Sequence, residues 1–190
     1  MMKALNVKKS STVVCYDTGK GFFASRAAFV LKSFGHPNVY VLDGHFSKWV
    51  SEGRATESDG NDERYDAEFD YTFEGAASIL SYDRIKEVSQ DGSIQIVDSR
   101  PNPSFQNGNI ASSISVPSPS LLAEDGTIKS SDQIREKFES EGVDTSKPMV
   151  FTCGGGVMVT QAYCAAVKAN FAGPLYIYDG SWAEFNSKKS

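Results

Sequence analysis

The 190-residue chain is short of cysteine, of net positive charge and of long apolar runs, and each shortage excludes a class of protein. Its three cysteines, Cys15, Cys153 and Cys164, have neither the number nor the spacing of a disulfide framework or a zinc site. Free thiols suit a reducing, intracellular compartment. A formal net charge of −5 argues against nucleic acid as the main partner. No apolar run approaches the ~20 residues that span a bilayer, so no membrane role is expected. The start, Met1-Met2-Lys3-Ala4-Leu5-Asn6-Val7-Lys8-Lys9, lacks the apolar core of a secretory signal. A cytoplasmic location is expected, and Lys3, Lys8 and Lys9 leave a mitochondrial address as the alternative. Composition is otherwise that of an ordinary globular protein, 40% hydrophobic and 23% charged, long enough to bury a real core.

What is present centres on Pro148-Met149-Val150-Phe151-Thr152-Cys153-Gly154-Gly155-Gly156-Val157-Met158. An apolar run ends in a cysteine, three glycines follow, and a small-residue segment runs from Val159 to Ala169. The pattern predicts a buried strand, a tight turn and a helix, with the thiol at the turn. Glycines let successive backbone N–H groups turn inward as an anion-holding nest, and the helix N-terminus adds its own unpaired N–H groups. A cysteine so placed is a candidate nucleophile. The other reading is a buried strand-end cysteine whose glycines serve only the turn. Cys164, two helical turns on and ~10 Å or more away at 1.5 Å per residue, reads as a small core residue, not a resolving thiol.

Along the chain, Val13–Asp17 reads as a strand, Thr18-Gly19-Lys20-Gly21 as a turn and Phe22–Phe34 as a helix stopped by Gly35. Val39–Leu42 is a second strand, and Asp43-Gly44 a turn leading to Phe46 and Trp49. Acidic residues and glycines between Ser51 and Tyr71 mark a solvated linker. Ile79–Val88 then reads as an amphipathic helix with Asp83 in its first turn and a stop at Asp91-Gly92. Ile94–Val97 is a strand delivering Asp98-Ser99-Arg100-Pro101. Pro101 and Pro103 predict an irregular loop, Ile114–Val116 a strand, and Ser131-Asp132-Gln133 a cap for a helix over Ile134–Glu139. Strands alternating with helices predict an α/β fold, a mostly parallel sheet with helices on both faces. Ligands of such sheets sit beyond the carboxyl ends of the strands, where Cys153 falls.

The chain also repeats. Shifted by 136 positions, Val13–Trp49 lies over Met149–Phe185 without a gap and with six identities, including Asp43-Gly44 on Asp179-Gly180. Asp17 takes the slot of Cys153, so the first copy has no thiol chemistry. About twelve residues precede its first strand against roughly seventy before the equivalent strand of the second. The first copy is therefore read as the back half of a domain.

The residues resemble the two-domain rhodanese-type sulfurtransferases, which pair an inactive N-terminal domain with an active C-terminal one. The resemblance rests on Val13–Asp17, Ala24-Ser25-Arg26-Ala27, Phe34–Gly44 and Lys48-Trp49 in the first half. In the second it rests on Ile96–Pro101, Val116-Pro117, Glu124–Lys129, Gly142-Val143-Asp144, Ser146-Lys147-Pro148, Cys153–Val157 and Tyr178–Phe185. It implies a rhodanese-like parallel sheet: residues 1–54 a partial inactive domain, 55–75 a linker, and 76–190 a complete domain bearing Cys153. The short front predicts coding sequence ahead of Met1 in preference to a degenerate member.

The resemblance further implies that Cys153 takes sulfur from a small donor as a persulfide. It would pass the sulfur to a thiol or cyanide-like acceptor, or to a protein, with neither metal nor organic cofactor. The loop residues Gly154, Gly155, Gly156, Val157 and Met158 would hold the anion through their N–H groups, and Asp98, Arg100 and Asp179 would brace the loop. The loop is closer to the Cys-Gly-Ser-Gly-Val-Thr of mercaptopyruvate-preferring members than to the basic loop of thiosulfate-preferring ones. Gly155 and Met158 nonetheless lack the hydroxyls of that pattern, Pro103-Ser104-Phe105 lacks its substrate arginine, and Asn109 stands for its histidine. A second arginine, in a Glu-Pro-Glu-Pro insertion, has no counterpart between Phe105 and Gly108. Each lost charge-assisted contact is worth roughly 1.5–3 kcal/mol, so a carboxylate donor is expected to bind weakly. The competing expectation is a catalytically weak binding or sulfur-carrier module. A phosphatase is excluded, because the sixth residue after Cys153 is Val159 where Cys-x5-Arg chemistry needs arginine.

Overall fold

A computed structural model describes residues 7–58 and 79–188. It divides into an N-terminal unit, Met1–Ala76, and a C-terminal unit, Ala77–Ser190. Most of the expected 55–75 linker and Lys3 lie outside the described residues.

The N-terminal unit is built from β1 (Val13–Cys15), α1 (Phe22–Ser33), β2 (Val39–Val41) and α2 (His45–Ser51). The two strands are parallel, with Val14 opposite Tyr40. Parallel neighbours cannot be joined by a tight turn, so α1 makes the crossover.

The C-terminal unit runs α3 (Tyr82–Asp91), β3 (Gln95–Asp98), α4 (Asn102–Gln106), β4 (Ser113–Ser115), a 3-10 turn (Ser118–Leu121), α5 (Ser131–Ser140), β5 (Met149–Thr152), α6 (Val159–Lys168), β6 (Leu175–Ile177) and α7 (Ser181–Ser187). Its sheet is parallel throughout, in the order β4-β3-β5-β6. The chain leaves β3 in one direction and returns to β5 on the other side. The crevice between the carboxyl ends of β3 and β5 is therefore the switch point where open α/β sheets hold ligands.

The period-2 alternation of side chains sends successive residues of the central strands to opposite faces. Ile96 and Val150 pack with Ile85 and Val88 of α3, Ile110, Tyr178 and Phe185 of α7. Phe151 meets Phe138 of α5 edge-on at 6.2 Å and Tyr163 of α6 at 6.2 Å, and Phe138 meets Phe171 at 5.0 Å. Both faces are thus covered by helices, and each fully buried large side chain contributes about 1.5–3 kcal/mol. No described helix is long and apolar enough to cross a membrane.

Four local expectations are corrected. The helix expected at Ile79 starts at Tyr82, because Ser81 caps it by accepting the Arg84 N–H at 3.3 Å while Ile79 bridges to Ile177. The irregular loop expected at Pro101–Pro103 is helix α4: both prolines sit where a helix start needs no N–H donor. The cap of α5 is Ser130, not Ser131. Its hydroxyl takes the Gln133 N–H while the Gln133 side chain accepts the Ser130 N–H, a reciprocal capping box. Cys164 is half-buried, not a core residue.

Candidate active site

Cys153 is the first residue after β5, and its side chain is buried. The three residues that follow turn the chain back on itself. Gly156 takes φ +85°, and a Cβ there would stand 2.8 Å from the Asp179 carbonyl oxygen and 3.0 Å from the Asp179 carboxylate. Only glycine fits this combination of left-handed backbone and close approach. Gly154 and Gly155 face open space or a distant neighbour, so they serve the loop by backbone path alone.

The carbonyls of the loop are taken up from outside it. Trp182 N–H donates to the Cys153 carbonyl at 2.9 Å and Ala183 N–H to the Gly154 carbonyl at 3.0 Å. Ser118 Oγ donates to the Met158 carbonyl at 3.0 Å. The N–H groups of Gly155 and Val157 have no acceptor among the described residues.

Ser181 approaches the thiol from the start of α7. Its Oγ accepts the Cys153 N–H at 3.2 Å and lies 3.8 Å from Sγ. The same hydroxyl donates to the Tyr178 carbonyl at 3.0 Å. One proton cannot serve both, so rotating the hydroxyl redirects it from the carbonyl to the sulfur. Ser181 itself sits at φ +53°, uncommon for a residue with a side chain. Behind it, Tyr178 donates to Glu184 at 2.8 Å, and Glu184 pairs with Lys188 at 2.6 Å. Burial, then the hydrogen bond to and charge of Glu184, push the Tyr178 phenol far above its usual range, so it stays a donor.

Asp98, at the end of β3, lies in register with Thr152 and is fully buried. It accepts from the Arg100 backbone N–H, from Nε at 3.0 Å and from Nη2 at 2.7 Å. Arg100 also donates to the Gly108 carbonyl at 2.8 Å and lies 5.0 Å from the Trp182 ring centroid. Between them, Ser99 binds the Thr152 carbonyl through both its N–H (2.9 Å) and its Oγ (2.8 Å). The Asp98-Ser99-Arg100 run therefore anchors the end of β5 and, through Trp182, the start of α7. Asp98, Arg100 and Asp179 are brought beside the loop as packing and anchoring groups. Ser181 and Ser99 were not singled out in the sequence, because nothing local to a serine tells which strand end it will meet.

The repeat appears in three dimensions with the same 136-residue offset. β2 falls on β6 and α2 on α7 residue for residue. The Phe46 N–H donates to the Asp17 carbonyl at 3.1 Å as the Trp182 N–H donates to that of Cys153. His45 has φ +56° where Ser181 has φ +53°. In the first copy the slot holds a carboxylate: Asp17 accepts the N–H groups of Gly19 (2.8 Å), Gly21 (3.0 Å) and Ala24 (3.1 Å). Burial raises the Asp17 pKa, but these three bonds and the nearby His45 outweigh it and hold the carboxyl below its ordinary value. The equivalents of the three donors are Gly155, Val157 and Thr160. Thr160 N–H makes only a long 3.3 Å bond to the Val157 carbonyl.

A parallel α/β sheet ending in a cysteine loop at its switch point defines the class. Residues 1–52 and 81–188 match the Rhodanese-like domain, and the chain belongs to that family. It is 32% identical over 195 residues to the thiosulfate sulfurtransferase of Gallus gallus, covering 95% of this chain and 65% of the relative. It is 33% identical over 196 residues to the 3-mercaptopyruvate sulfurtransferase of Homo sapiens, covering 95% and 64%. The crystal structure of SseA from Escherichia coli, a 3-mercaptopyruvate sulfotransferase, superposes with TM-score 0.86 at 28% identity, over 95% of this chain and 70% of that one. The chain thus spans about two thirds of the length of these relatives, and the two donor classes stand level in identity.

Proposed function

We propose that the protein is a sulfurtransferase working by double displacement through Cys153. The observation that carries this reading is the Asp17 slot: the equivalent turn of the first copy, its left-handed glycine displaced by one position, holds an anion on inward N–H groups. In the second copy the equivalent positions, Gly155, Val157 and Thr160, follow a cysteine. The Cys153 thiolate attacks the outer sulfur of a sulfane donor, forming the S–S bond of a persulfide as the donor's own bond to that sulfur breaks. The electron pair leaves with the donor, as sulfite from a thiosulfate. From a mercaptopyruvate it leaves on a carbon that takes up the donor's thiol proton. The persulfide anion rests on the N–H groups of the Gly154–Met158 loop, with Ser181 supplying a hydroxyl. A thiol or cyanide-like acceptor, or a protein thiol, then takes the outer sulfur and regenerates Cys153. The relatives' names support a donor of the thiosulfate or mercaptopyruvate class, and the loop pattern leans to the latter. Three free cysteines suit a reducing compartment, the cytoplasm with the mitochondrion as alternative.

One observation favours the second reading, a weak enzyme that binds or carries sulfur for a partner. Arg100, whose Cδ stands 4.0 Å from a Cβ placed on Gly154, is buried and committed to Asp98, Gly108 and Trp182. It is not offered to a donor's charge.

The test is intact mass after incubation with thiosulfate or 3-mercaptopyruvate and removal of excess donor. A gain of one sulfur that is lost in Cys153→Ala and released by cyanide is expected. No gain with either donor, in protein that still binds a partner, would transfer the case to the carrier reading.

A further inference from the structure

The two copies of the repeat differ in what stands behind the slot. In the C-terminal copy three side chains are linked: the Tyr178 hydroxyl donates to Glu184 at 2.8 Å, and Glu184 pairs with Lys188 at 2.6 Å. At the 136-residue offset their counterparts are Leu42, Lys48 and Glu52. Leu42 has no hydroxyl to give, and the ion pair is reversed, with Lys48 3.4 Å from Glu52. The turn itself is common to both copies. The Ser181 N–H donates to the Tyr178 carbonyl and the His45 N–H to the Leu42 carbonyl, each at 3.2 Å. Of the two copies, the one with the cysteine ties the first residue of this turn to the following helix by a side-chain hydrogen bond.

That bond brackets the residue facing the thiol. The Tyr178 ring is packed among Ile85, Val88, Ile96 and Val150, so it is a fixed post. Glu184 Oε2 lies directly over Gly180, where a Cβ would collide with it. Lys188, and then the Tyr178 hydroxyl, hold the Glu184 carboxyl below its ordinary pKa, so it stays an acceptor. Between post and carboxylate stands Ser181 at φ +53°, a sparsely populated backbone state that persists only where the surroundings over-determine it. Its hydroxyl is free to choose. The Tyr178 carbonyl receives both the Ser181 Oγ at 3.0 Å and the Ser181 N–H at 3.2 Å. Turning the hydroxyl towards Sγ, 3.8 Å away, therefore leaves that carbonyl with a donor. We infer that Glu184 and Tyr178 are positioning residues for the Cys153 reaction: together they hold the strained turn so that the Ser181 hydroxyl meets the charge on the sulfur. The inference rests on the reading of Cys153 as a persulfide-forming nucleophile, and both residues act on it through Ser181.

The experiment measures two rates in the full chain: sulfur uptake from thiosulfate or 3-mercaptopyruvate by intact mass, and alkylation of Cys153 by iodoacetamide, read on its peptide. Removing a donor aimed at a developing anion costs about 100–1000-fold, and displacing one costs less, so Tyr178→Phe and Glu184→Gln should each slow uptake at saturating donor by about tenfold. The half-saturating donor concentration should not change. Alkylation should slow as well, because the thiolate loses a donor. A merely structural role has the opposite sign: loosening the fold uncovers a thiol that is only 2% exposed and speeds its alkylation. On a Ser181→Ala background, Tyr178→Phe and Glu184→Gln should change neither rate further. Should Tyr178→Phe fail to fold, Glu184→Gln, at a side chain 33% exposed, carries the test alone. Unchanged or faster alkylation in the folded single variants would overturn the inference, and so would the same tenfold loss on the Ser181→Ala background. Alkylation needs no sulfur donor. If Cys153 takes up no sulfur, the sulfurtransferase reading fails while the positioning of the thiol is still measured.

Discussion

Substituting neighbouring loop glycines separates the role of the turn from that of its exposed crest. In Gly156→Ala the new Cβ meets two costs. The left-handed backbone at φ +85° is disfavoured by roughly 1–2 kcal/mol for a residue with a side chain. The Cβ also stands 2.8 Å from the Asp179 carbonyl oxygen. That carbonyl has little room to retreat. Tyr178 before it is tied to Phe151 at 2.9 Å, and Ser181 after it holds both Tyr178 and Cys153. Forced repacking of this kind costs typically ~1–3 kcal/mol, so Gly156→Ala is expected to lose about 2–5 kcal/mol of C-terminal-unit stability. Relief of the clash moves Ser181 and the loop N–H groups together, so persulfide formation at Cys153 should fall at least tenfold even in folded protein. Gly155→Ala is the control: nothing lies within 4 Å of its Cβ, and its stability should change by less than about 0.5 kcal/mol. Urea denaturation at constant slope and intact-mass kinetics of sulfur uptake read the two effects. Equal midpoints and equal uptake for the two variants would refute the idea that Gly156 holds the loop against Asp179.

Two further outcomes follow from the hydrogen-bonded carboxylates. Arg100→Met leaves the fully buried Asp98 carboxylate with only the Arg100 backbone N–H, and should cost about 3–5 kcal/mol in urea denaturation. The double variant with Asp98→Asn should lose clearly less than the two single losses added together, and strict additivity would count against a coupled pair. Asp17 has its pKa lowered in the folded state, so its contribution is present above the ordinary carboxylate value and is lost as pH falls through the lowered one. The amides of Gly19, Gly21 and Ala24 should therefore lose exchange protection below about pH 4, and Asp17→Asn should flatten that dependence. An unchanged acid profile in the variant would contradict the assignment of Asp17 as the anion on those donors.

Long-range features were legible where the sequence carries a pattern that the backbone obeys. The alternation of Ile96 and Val97, or Val150 and Phe151, tells that both sheet faces are covered. The 136-residue shift announces β6 and α7 by naming β2 and α2. Boundaries were less legible where two local rules compete. Pro101 and Pro103 break a loop as readily as they open a helix, and the structure chooses the helix. Ser130 and Ser131 are both good caps; Ser130 wins because Gln133 then stands three residues on and completes the box. Within the site, Cys153 and its glycines announce themselves in one run, whereas Ser181 lies 28 residues away. Its approach depends on a positive φ that no serine advertises. Only the matching φ of His45 shows that the repeat reserves this strained position for whatever faces the slot.

That pairing sharpens what the loop itself determines. Asp17 with His45 and Cys153 with Ser181 occupy the same two places, joined by the same α-helical N–H to the slot carbonyl. The backbone around Asp17 holds an anion, and on our proposal its counterpart around Cys153 does so too, the residue in the slot deciding whether the anion is fixed or acquired. A carboxylate fills the holder permanently and ends its chemistry there. A cysteine leaves room for one more atom carrying charge, which on our proposal is the outer sulfur of a persulfide. The holder acts on the atoms next to the cysteine and not on the rest of a donor molecule, so it fixes the reaction type without fixing the donor. Recognition of the donor must come from side chains beyond the loop. Arg100, beside the loop, is spent on Asp98, and Gly155 and Met158 offer no hydroxyl. On our proposal the chain therefore keeps Cys153 as nucleophile while its hold on a charged donor loosens.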